Sequence, residues 1–384
     1  MEENRDDFLY IRTARELASW VKFTRNYRWI AVDTESDSYH RYQEKVCLIQ
    51  MTVGGRDAII DPLSLDTLDP LRDLFEDPTR IKIFHDAGYD LLCMKRDYGF
   101  DIQGIFDTML ACRFLGYRKF GLGAILEENY EFQTDKTLQR SDWSRRPLTD
   151  AQLYYARHDT HFLPDLAHRL EESLREMGRL EWALEDFDRI ANHVDTLLER
   201  PTAHTQDGFW RIKGAKKLNP QELGYLQALF LLRDRIAEKL DRPAFKVFSN
   251  QLLMDLVKTP PMDMNSFSPR PGLKQLGVQR YGTRIVRAIR NAKPIYESAP
   301  KNMGRRRSGR FMDPQPRQVY ENLRAVRRKV AEAIGVDPEV IAGNACLEDL
   351  ARDPPTSVGS VAEHPGIKGW RAAILSEKFF RAVQ

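Results

Sequence analysis

Hydrophobic and polar positions follow two different patterns along the chain, and the change falls near residue 200. Before that point, short apolar runs such as residues 29–32 and 81–84 alternate with stretches of helical periodicity. After it the strand pattern stops, and apolar residues recur at helical spacing between prolines. Strands interleaved with helices predict an α/β domain over residues 1–200, and the remainder predicts all-helical structure.

The first part of the pattern predicts a mixed sheet that opens with an antiparallel meander. Residues 29–35, 46–53 and 57–60 are rich in strand formers, and Gly54-Gly55 supplies the turn of a hairpin between the last two. Further on, residues 149–177 predict one long helix with Thr149 as its N-cap.

The second part predicts two small all-α domains, at residues 210–297 and 318–384. Each begins with a basic helix, so we interpret them as diverged copies of one repeat. Between them, residues 298–317 are rich in proline, glycine and arginine, which predicts an exposed basic linker. The run Arg305-Arg306-Arg307 makes this linker attractive to a polyanion, although an ordinary solvated linker explains it equally well.

Composition places the chain among soluble globular proteins. Its 384 residues suit two or three domains, 42% are hydrophobic and 30% are charged. No apolar run approaches the roughly 20 residues of a membrane span, and the acidic N-terminus does not resemble a signal peptide. The four cysteines are scattered without Cys-x-x-Cys spacing, which argues against structural zinc and a disulfide framework. We therefore expect a cytoplasmic protein and no membrane contact.

The net charge of +3 hides an asymmetry between the two halves. Residues 1–200 contain 27 Lys and Arg against 38 Asp and Glu, a net charge of −11. Residues 201–384 contain 32 against 18, a net charge of +14. This distribution suggests a basic half that grips a polyanion for an acidic partner domain, although a merely basic surface would give the same count.

Two carboxylates mark the first candidate site. Asp33 and Glu35 end the strand at residues 29–35, and side chains two apart share one face of a strand, so both should project together. Like charges held that close repel, and a cation such as Mg²⁺ or Mn²⁺ between them relieves the repulsion. Without further partners, the same pair fits a strand that ends in a solvated turn.

Two later stretches supply such partners. Asp90 follows the strand at residues 81–84 and opens a helix, where the helix dipole favours an acid in any case. Tyr155 and Asp159 lie four residues apart, so they share one helix face. Each of these also fits an ordinary role, as a helix-start acid, a packed tyrosine and a solvated carboxylate.

Together these residues are far more specific than any one of them. An Asp-x-Glu ends a first strand, an Asp opens a helix about 55 residues later, and a Tyr-x-x-x-Asp lies on a late helix. The set resembles the three exonuclease motifs of the family with four acidic metal ligands, in the branch with tyrosine in the third motif. The segment TLQRSDWSRRPLT at residues 137–149 is similar to ribonuclease D, as are VCLIQ at 46–50 and FDT at 106–108.

One residue departs from that pattern. Asp86 is an extra acid in the second motif, four residues before Asp90. Asp90 keeps the position of the motif's acid relative to the following leucine, Leu91. It is therefore our choice for the acid of the second motif, with Asp86 as the alternative. Residues 217–297 and 318–384 resemble the small HRDC-type helical domain shared by helicases and ribonuclease D, the second copy being more divergent.

The resemblance implies a ribonuclease H-like mixed sheet flanked by helices, followed by two helical domains that bind nucleic acid. It implies hydrolysis of RNA from its 3′ end to nucleoside 5′-monophosphates, with tRNA precursors or other structured RNA as substrate. Two divalent ions, Mg²⁺ or Mn²⁺, would be held by the four carboxylates. Asp33 would bridge both ions, Glu35 and Asp159 would complete the ion that holds the attacking water, Asp90 would hold the second, and Tyr155 would orient the water.

Residues for substrate binding are less specific. His85, Gln50, Lys136, Arg140 and Trp143 are candidates for lining the substrate path, but each also fits a structural or solvated role. The other residues that we considered are expected to pack rather than bind ligands: His158, His161, Phe245, Phe248 and Trp370.

Two other functions fit the same residues. A 3′–5′ DNA exonuclease would differ in substrate rather than in chemistry. A non-catalytic scaffold for nucleic acid is the second, but all five motif positions are filled, which argues against it. The chain has no Gly-x-x-x-x-Gly-Lys-Ser/Thr loop to hold a nucleotide phosphate, so it is not itself a helicase.

Overall fold

The α/β domain is built on a six-stranded mixed sheet. The computed structural model describes residues 8–198, 205–299 and 312–384. The strands are β1 (Phe8–Ile11), β2 (Trp29–Ser36), β3 (Val46–Val53), β4 (Arg56–Ile60), β5 (Ile81–Phe84) and β6 (Ile105–Asp107). The predicted fold class is confirmed.

The strand order is β1-β4-β3-β2-β5-β6, so β2 lies inside the sheet with a neighbour on each side. Strands β2, β3 and β4 form the predicted antiparallel meander, and Gly54 and Gly55 in its hairpin turn have φ angles of 57° and 76°, which suit glycine. Strand β5 runs parallel to β2, and β6 runs parallel to β5. The carboxyl ends of these three strands therefore meet at one edge.

Helices join the strands and cover the sheet. In this domain they are α1 (Ala14–Thr24), α2 (Arg72–Glu76), α3 (Gly88–Tyr98), α4 (Thr108–Phe114), α5 (Leu122–Tyr130), α6 (Asp150–His161), α7 (Leu163–Glu176) and α8 (Leu180–Leu198). The prediction of one helix over residues 149–177 was wrong. It divides at Phe162, because Pro164 has no N–H with which to continue the hydrogen bonding.

Two helical domains follow. The first, within residues 205–299, contains α9 (Pro220–Leu240), α10 (Ala244–Val247), α11 (Asn250–Lys258) and α12 (Gln275–Arg290). The second, within residues 312–384, contains α13 (Pro314–Ile334), α14 (Pro338–Ile341), α15 (Asn344–Arg352), α16 (Val358–Ala362) and α17 (Trp370–Val383). None of the described helices is both long and apolar enough to cross a membrane.

The predicted linker lies mostly outside the described residues. Residues 300–311, which include Arg305-Arg306-Arg307, belong to the undescribed part. Helix α13 begins at Pro314, inside the range 298–317 that was predicted for the linker.

One buried hydrogen-bond device occurs in both helical domains. An arginine of the first long helix donates to a backbone carbonyl 15 residues later and to an asparagine side chain 17 residues later. The two sets are Arg233 with Phe248 (3.2 Å) and Asn250 (2.7 Å), and Arg327 with Ala342 (2.8 Å) and Asn344 (2.9 Å). The identical spacing supports the interpretation of the domains as copies of one repeat.

The two copies pack differently. The first helical domain has a hydrophobic core of its own, whereas buried residues of the second join the core of the α/β domain. At this contact the indoles of Trp182 and Trp370 stack, with ring centroids 4.6 Å apart. Nearby, buried Arg371 of α17 holds buried Asp186 of α8 through two hydrogen bonds, one of them 2.6 Å long between Nη1 and Oδ1. The second domain is thus fixed to the α/β domain.

We expect Arg371→Ala to lower the free energy of unfolding by about 3–5 kcal/mol, because it removes both hydrogen bonds from the buried Asp186 carboxylate and leaves it only the Arg189 guanidinium, 3.6 Å away. Urea denaturation followed by tryptophan fluorescence measures the loss. Arg381→Ala is a matched control, since Arg381 and Glu377 form an exposed pair on the same helix and such pairs contribute little. Equal midpoints for the two variants would contradict a stabilising role for the buried pair.

Candidate active site

The strand register sets the direction of the acidic side chains of β2. The hydroxyl oxygens of Thr52 on β3 and Thr160 on α6 are hydrogen-bonded at 2.8 Å, so α6 covers this face of the sheet. Gln50, two residues before Thr52, shares that face and is the register partner of Asp33. Asp33 and Glu35 therefore both point toward α6.

Helix α6 carries Tyr155 and Asp159, and a buried charge pair anchors it to the sheet. Arg157 Nε donates to Asp57 Oδ2 of β4 at 2.6 Å, and His161 Nδ1 lies 2.7 Å from the same oxygen. Because both Arg157 and Asp57 are buried, this anchor fixes the rotation of the helix. The neighbouring Asp159 is thereby aimed at the acids of β2.

Asp90 approaches the same acids from α3. It is only 8% exposed and accepts a hydrogen bond of 2.5 Å from the hydroxyl of Thr34, which lies between Asp33 and Glu35. Asp86 is exposed and has a φ angle of 68° at the turn before α3. The burial and the Thr34 contact support Asp90 over Asp86 as the fourth acid.

Burial and neighbouring carboxylates raise the pKa values of all four acids. Burial, followed by repulsion from Asp90, Asp159 and Glu35, raises the pKa of Asp33 well above its ordinary value. Burial and the charges of Asp159 and Asp90 do the same for Glu35. Burial, with a smaller contribution from the charge of Asp86, raises the pKa of Asp90 to about 7, and burial with the charge of Asp90 raises that of Asp159 to about 8. The four groups therefore form one electrostatic cluster.

The donor set of this cluster suits a hard divalent cation. Among the described residues, the neighbouring charges that shift these four pKa values most are all carboxylates. Across residues 8–198, 205–299 and 312–384, no three acidic, histidine or cysteine side chains converge into a closed ligand set. Carboxylate oxygens are the ligands that Mg²⁺ and Mn²⁺ prefer, so the donor set itself fits either ion.

Tyr155 is half-buried beside these acids and packs on Trp143. The two ring centroids are 6.1 Å apart, and Trp143 is only 1% exposed. Burial, and then the charges of Asp159, Glu35 and Asp33, raise the pKa of the Tyr155 phenol. The tyrosine is therefore protonated at pH 7 and available as a hydrogen-bond donor. Trp143 is therefore a packing partner of the Tyr155 ring, and its burial leaves little of its surface for contact with a substrate.

Two of the predicted substrate residues lie beside the acids. His85 follows β5 at the level of Asp33, and its Nδ1 lies 2.9 Å from the Thr108 hydroxyl. Burial lowers the pKa of His85 to about 4, so its ring is neutral at pH 7. Gln50 is fully buried, with no hydrogen-bond partner for its amide among the described residues. Their role in substrate binding stays a prediction.

The remaining predicted residues lie further out. Arg140 and Lys136 are exposed on the segment before α6. The two histidines beside Asp159 have structural contacts: His158 is stacked on Phe132 at 4.5 Å, and His161 belongs to the Asp57 anchor.

Sequence reasoning missed the anchor of the segment that leads into α6. Arg146 Nε and Nη2 donate to the two carboxylate oxygens of Asp61 at 2.6 and 2.7 Å, and Nη2 also donates to the Cys47 carbonyl at 2.9 Å. The Asp61 carboxylate is fully buried, so the pair pins this segment to the sheet. Arg146 and Asp61 are 85 residues apart, and no local pattern connects them.

Comparison with known families agrees with this architecture. A family model described as 3′–5′ exonuclease matches residues 8–175, and the HRDC domain model matches twice, at residues 222–289 and 317–383. Ribonuclease D of Gluconacetobacter diazotrophicus is 27% identical over 376 residues, which cover 97% of this chain and 92% of that protein. The chain belongs to the ribonuclease D family. The predicted family, the helical repeat and the activity of a 3′–5′ exoribonuclease are thereby confirmed.

Solved structures and a eukaryotic relative extend the comparison. The crystal structure of Escherichia coli RNase D, described as an exoribonuclease involved in structured RNA processing, superposes with a TM-score of 0.75 and 25% identity over 98% of each chain. The exosome complex exonuclease RRP6 of Saccharomyces cerevisiae is 32% identical over 267 residues, but the match covers only 36% of that longer protein. Exonucleases of the ribonuclease D fold depend on divalent metal ions, in agreement with the carboxylate cluster.

We expect the affinity of this site for Mn²⁺ to fall as the pH is lowered from 8 to 6. The pKa values of Asp90 and Asp159, about 7 and about 8, lie above the ordinary value, so protons occupy the site below those pH values. Each proton that the ion must displace weakens binding by about tenfold per pH unit. Isothermal titration calorimetry in buffers of different ionisation enthalpy measures both the affinity and the protons released.

The same shifts make the metal-free protein less stable at higher pH. A carboxyl whose pKa is higher in the folded state contributes stability that is complete below its unfolded pKa and is lost as the pH rises through 7 to 8. Mn²⁺ should therefore raise the melting temperature more at pH 8 than at pH 6. Asp159→Asn is the control for both measurements, because it removes one of the two carboxyl groups that titrate between pH 6 and 8. An Mn²⁺ affinity of the unmodified protein that does not change with pH would contradict the cluster.

Proposed function

We propose that this ribonuclease D removes nucleoside 5′-monophosphates one at a time from the 3′ end of RNA, at a site formed by Asp33, Glu35, Asp90, Tyr155 and Asp159. The observation that carries the proposal is the gathering of four carboxylates from β2, α3 and α6, whose pKa values are raised by burial and by neighbouring carboxylates. Divalent ions would stabilise the charged form of such a cluster.

The four carboxylates would hold two divalent ions, with Asp33 between them. Glu35 and Asp159 would complete the coordination of one ion. Asp90, which is oriented by its hydrogen bond from Thr34, would be a ligand of the other. When bound, the ions lower the pKa of the attacking water and stabilise the charge on the phosphate and on the leaving 3′-oxygen. We propose Mg²⁺ or Mn²⁺, because both are hard cations that prefer carboxylate oxygens.

Tyr155 would position the attacking water. Its phenol keeps its proton at neutral pH, since burial and three nearby carboxylates raise its pKa. A protonated phenol is a poor general base but a good hydrogen-bond donor. The packing of its ring on Trp143 limits its movement, so the hydroxyl is held in one place while the substrate binds.

A basic groove in the first HRDC domain supports a nucleic-acid substrate. It lies between α9 and α12 and has a volume of about 990 Å³. Its floor is apolar, with Leu231 and Ile236, and the described residues that line it include no Asp or Glu. The basic side chains of the groove are Arg235, Lys239, Arg280, Arg284, Arg287 and Lys293. Phosphates are the natural counterions of such a surface.

The substrate class that we propose is structured RNA with a free 3′ end, such as a tRNA precursor. The Escherichia coli relative is described as acting in structured RNA processing. A basic groove on a separate domain would hold the body of such an RNA while its end enters the carboxylate cluster. A cytoplasmic location, expected from the sequence, belongs to the same proposal.

The test is digestion of 5′-labelled single strands with Mg²⁺ or Mn²⁺. We expect a ladder of products from RNA with a 3′-hydroxyl and little product from the same RNA with a 3′-phosphate, because the reaction starts at the free end. Matched DNA is digested in parallel, and a strong preference for DNA would overturn the choice of RNA. Products released from internal positions would contradict the exonuclease polarity.

Variants link that activity to the site. Asp33→Asn should lower the rate by about a thousandfold or more, since it removes the carboxylate shared by both ions, while RNA binding remains. Tyr155→Phe should lower the rate by only about ten- to hundredfold, because it changes the orientation of the water and leaves the ligands intact. Retained activity in Asp33→Asn would defeat the assignment.

Removing two cations from the groove should weaken RNA binding without changing the chemical step. For Arg284→Ala with Arg287→Ala, the slope of log affinity against log salt should fall by up to about 1.4, because each phosphate contact with a single strand contributes about 0.7. Fluorescence anisotropy at several salt concentrations measures the slope. Arg290→Ala is the matched control, since Arg290 is exposed on the same helix but does not line the groove; equal slopes would remove the groove from RNA binding.

A further inference from the structure

Two exposed aromatic side chains meet at the junction of the α/β domain and the first HRDC domain. Tyr39, in the loop between β2 and β3, is 46% exposed, and Phe245 of α10 is 54% exposed. Their ring centroids lie 6.2 Å apart with the ring planes at 79°. The prediction that Phe245 is a core residue was wrong, whereas Phe248 is 2% exposed and packs as expected.

A cation completes this surface. The Arg140 guanidinium lies 5.5 Å from the centroid of the Tyr39 ring, and the Arg140 carbonyl is hydrogen-bonded to His40 Nε2 at 3.0 Å. Arg140 is itself exposed, so its charge remains open to solvent. Aromatic faces next to a guanidinium are the combination on which single-stranded bases stack while a phosphate is neutralised.

The position of this surface relates it to the carboxylate cluster. Tyr39 follows Glu35 by four residues, so their Cα atoms are at most about 14 Å apart even in a fully extended chain. Arg140 belongs to the segment that leads into α6, which carries Tyr155. The aromatic surface therefore borders the cluster, within a few nucleotides of a scissile phosphate held there.

Hydrogen bonds from both domains hold the loop in place. Arg41 Nη1 donates to Asp241 Oδ2 of the first HRDC domain at 2.9 Å, while its Nε and Nη2 donate to Ser144 Oγ at 3.0 Å. The Tyr42 hydroxyl donates to Asp234 Oδ2 of α9 at 2.8 Å. These bonds order the loop before any ligand arrives, so a base that stacks there does not have to order it.

We propose that Tyr39, Phe245 and Arg140 form a stacking platform for one base of single-stranded RNA, a few nucleotides upstream of the phosphate that is hydrolysed. The first HRDC domain then supplies part of the substrate site itself, in addition to its basic groove. Every base has an aromatic face, so the platform accepts any sequence. This inference rests on the proposed action at RNA 3′ ends.

The experiment places a single abasic nucleotide at successive positions from the 3′ end of a 5′-labelled RNA. With the unmodified protein, one upstream position should raise KM by about ten- to hundredfold and leave kcat unchanged, since a stacked base contributes that much to binding. In Phe245→Ala and Tyr39→Ala, KM for the intact RNA should already be raised, and the abasic nucleotide at that position should add nothing.

Two further variants separate stacking from a structural role. Phe245→Leu keeps an apolar side chain at the domain junction but loses the ring, so it should behave like Phe245→Ala. Tyr296→Ala removes an aromatic side chain that is 83% exposed elsewhere, and it should keep the unmodified profile. Normal KM values in Phe245→Leu, or the same abasic profile in every variant, would overturn the platform. Failure of the unmodified protein to shorten intact RNA from its 3′ end would instead overturn the proposed function.

Discussion

Mutual repulsion among four carboxylates is the constraint on which the rest of the α/β domain depends. Asp33 and Glu35 lie on a strand inside the sheet, and Asp90 and Asp159 are brought to them by two different helices. Each of the four pKa values is raised first by burial. The fold must hold these carboxylates together against their mutual repulsion until a cation binds. The interactions that fix their positions therefore have to involve other residues.

Those interactions are ion pairs that leave the site acids alone. Arg157, two residues before Asp159, is paired with Asp57 of β4, and Arg146, on the segment before α6, is paired with Asp61 at the end of β4. Because these pairs are at least half-buried and well hydrogen-bonded, they position α6 and the preceding segment firmly. A lysine or arginine paired directly with Asp33 would have occupied the lone pairs that a metal ion needs. Separating the anchors from the ligands lets the protein be rigid and keep the cluster open to a cation.

Local patterns predicted the strands and the hairpin, and they selected five candidate site residues that the structure brings together, because periodicity, turn glycines and motif spacing are properties of short segments. Contacts between distant segments were not predicted. The division between α6 and α7 required weighing Pro164 against a continuous apolar pattern. The burial of Trp143 and the exposure of Phe245 depend on what packs against each ring, and no spacing rule contains that information. The same holds for the Arg371–Asp186 pair, whose members are 185 residues apart.

The repeated helical domain shows how one internal design can serve two purposes. Arg233 and Arg327 make the same hydrogen bonds in the two copies, so the inner framework is preserved. The outer surfaces differ: the second copy presents Trp370 and Arg371 to α8 and shares its core with the α/β domain. The first keeps a separate core and turns basic side chains outward along its groove. Because the first copy has a core of its own, its outer surface can bind a ligand without loss of stability. The second copy uses part of its outer surface to pack on the α/β domain, so that part is not accessible to a ligand.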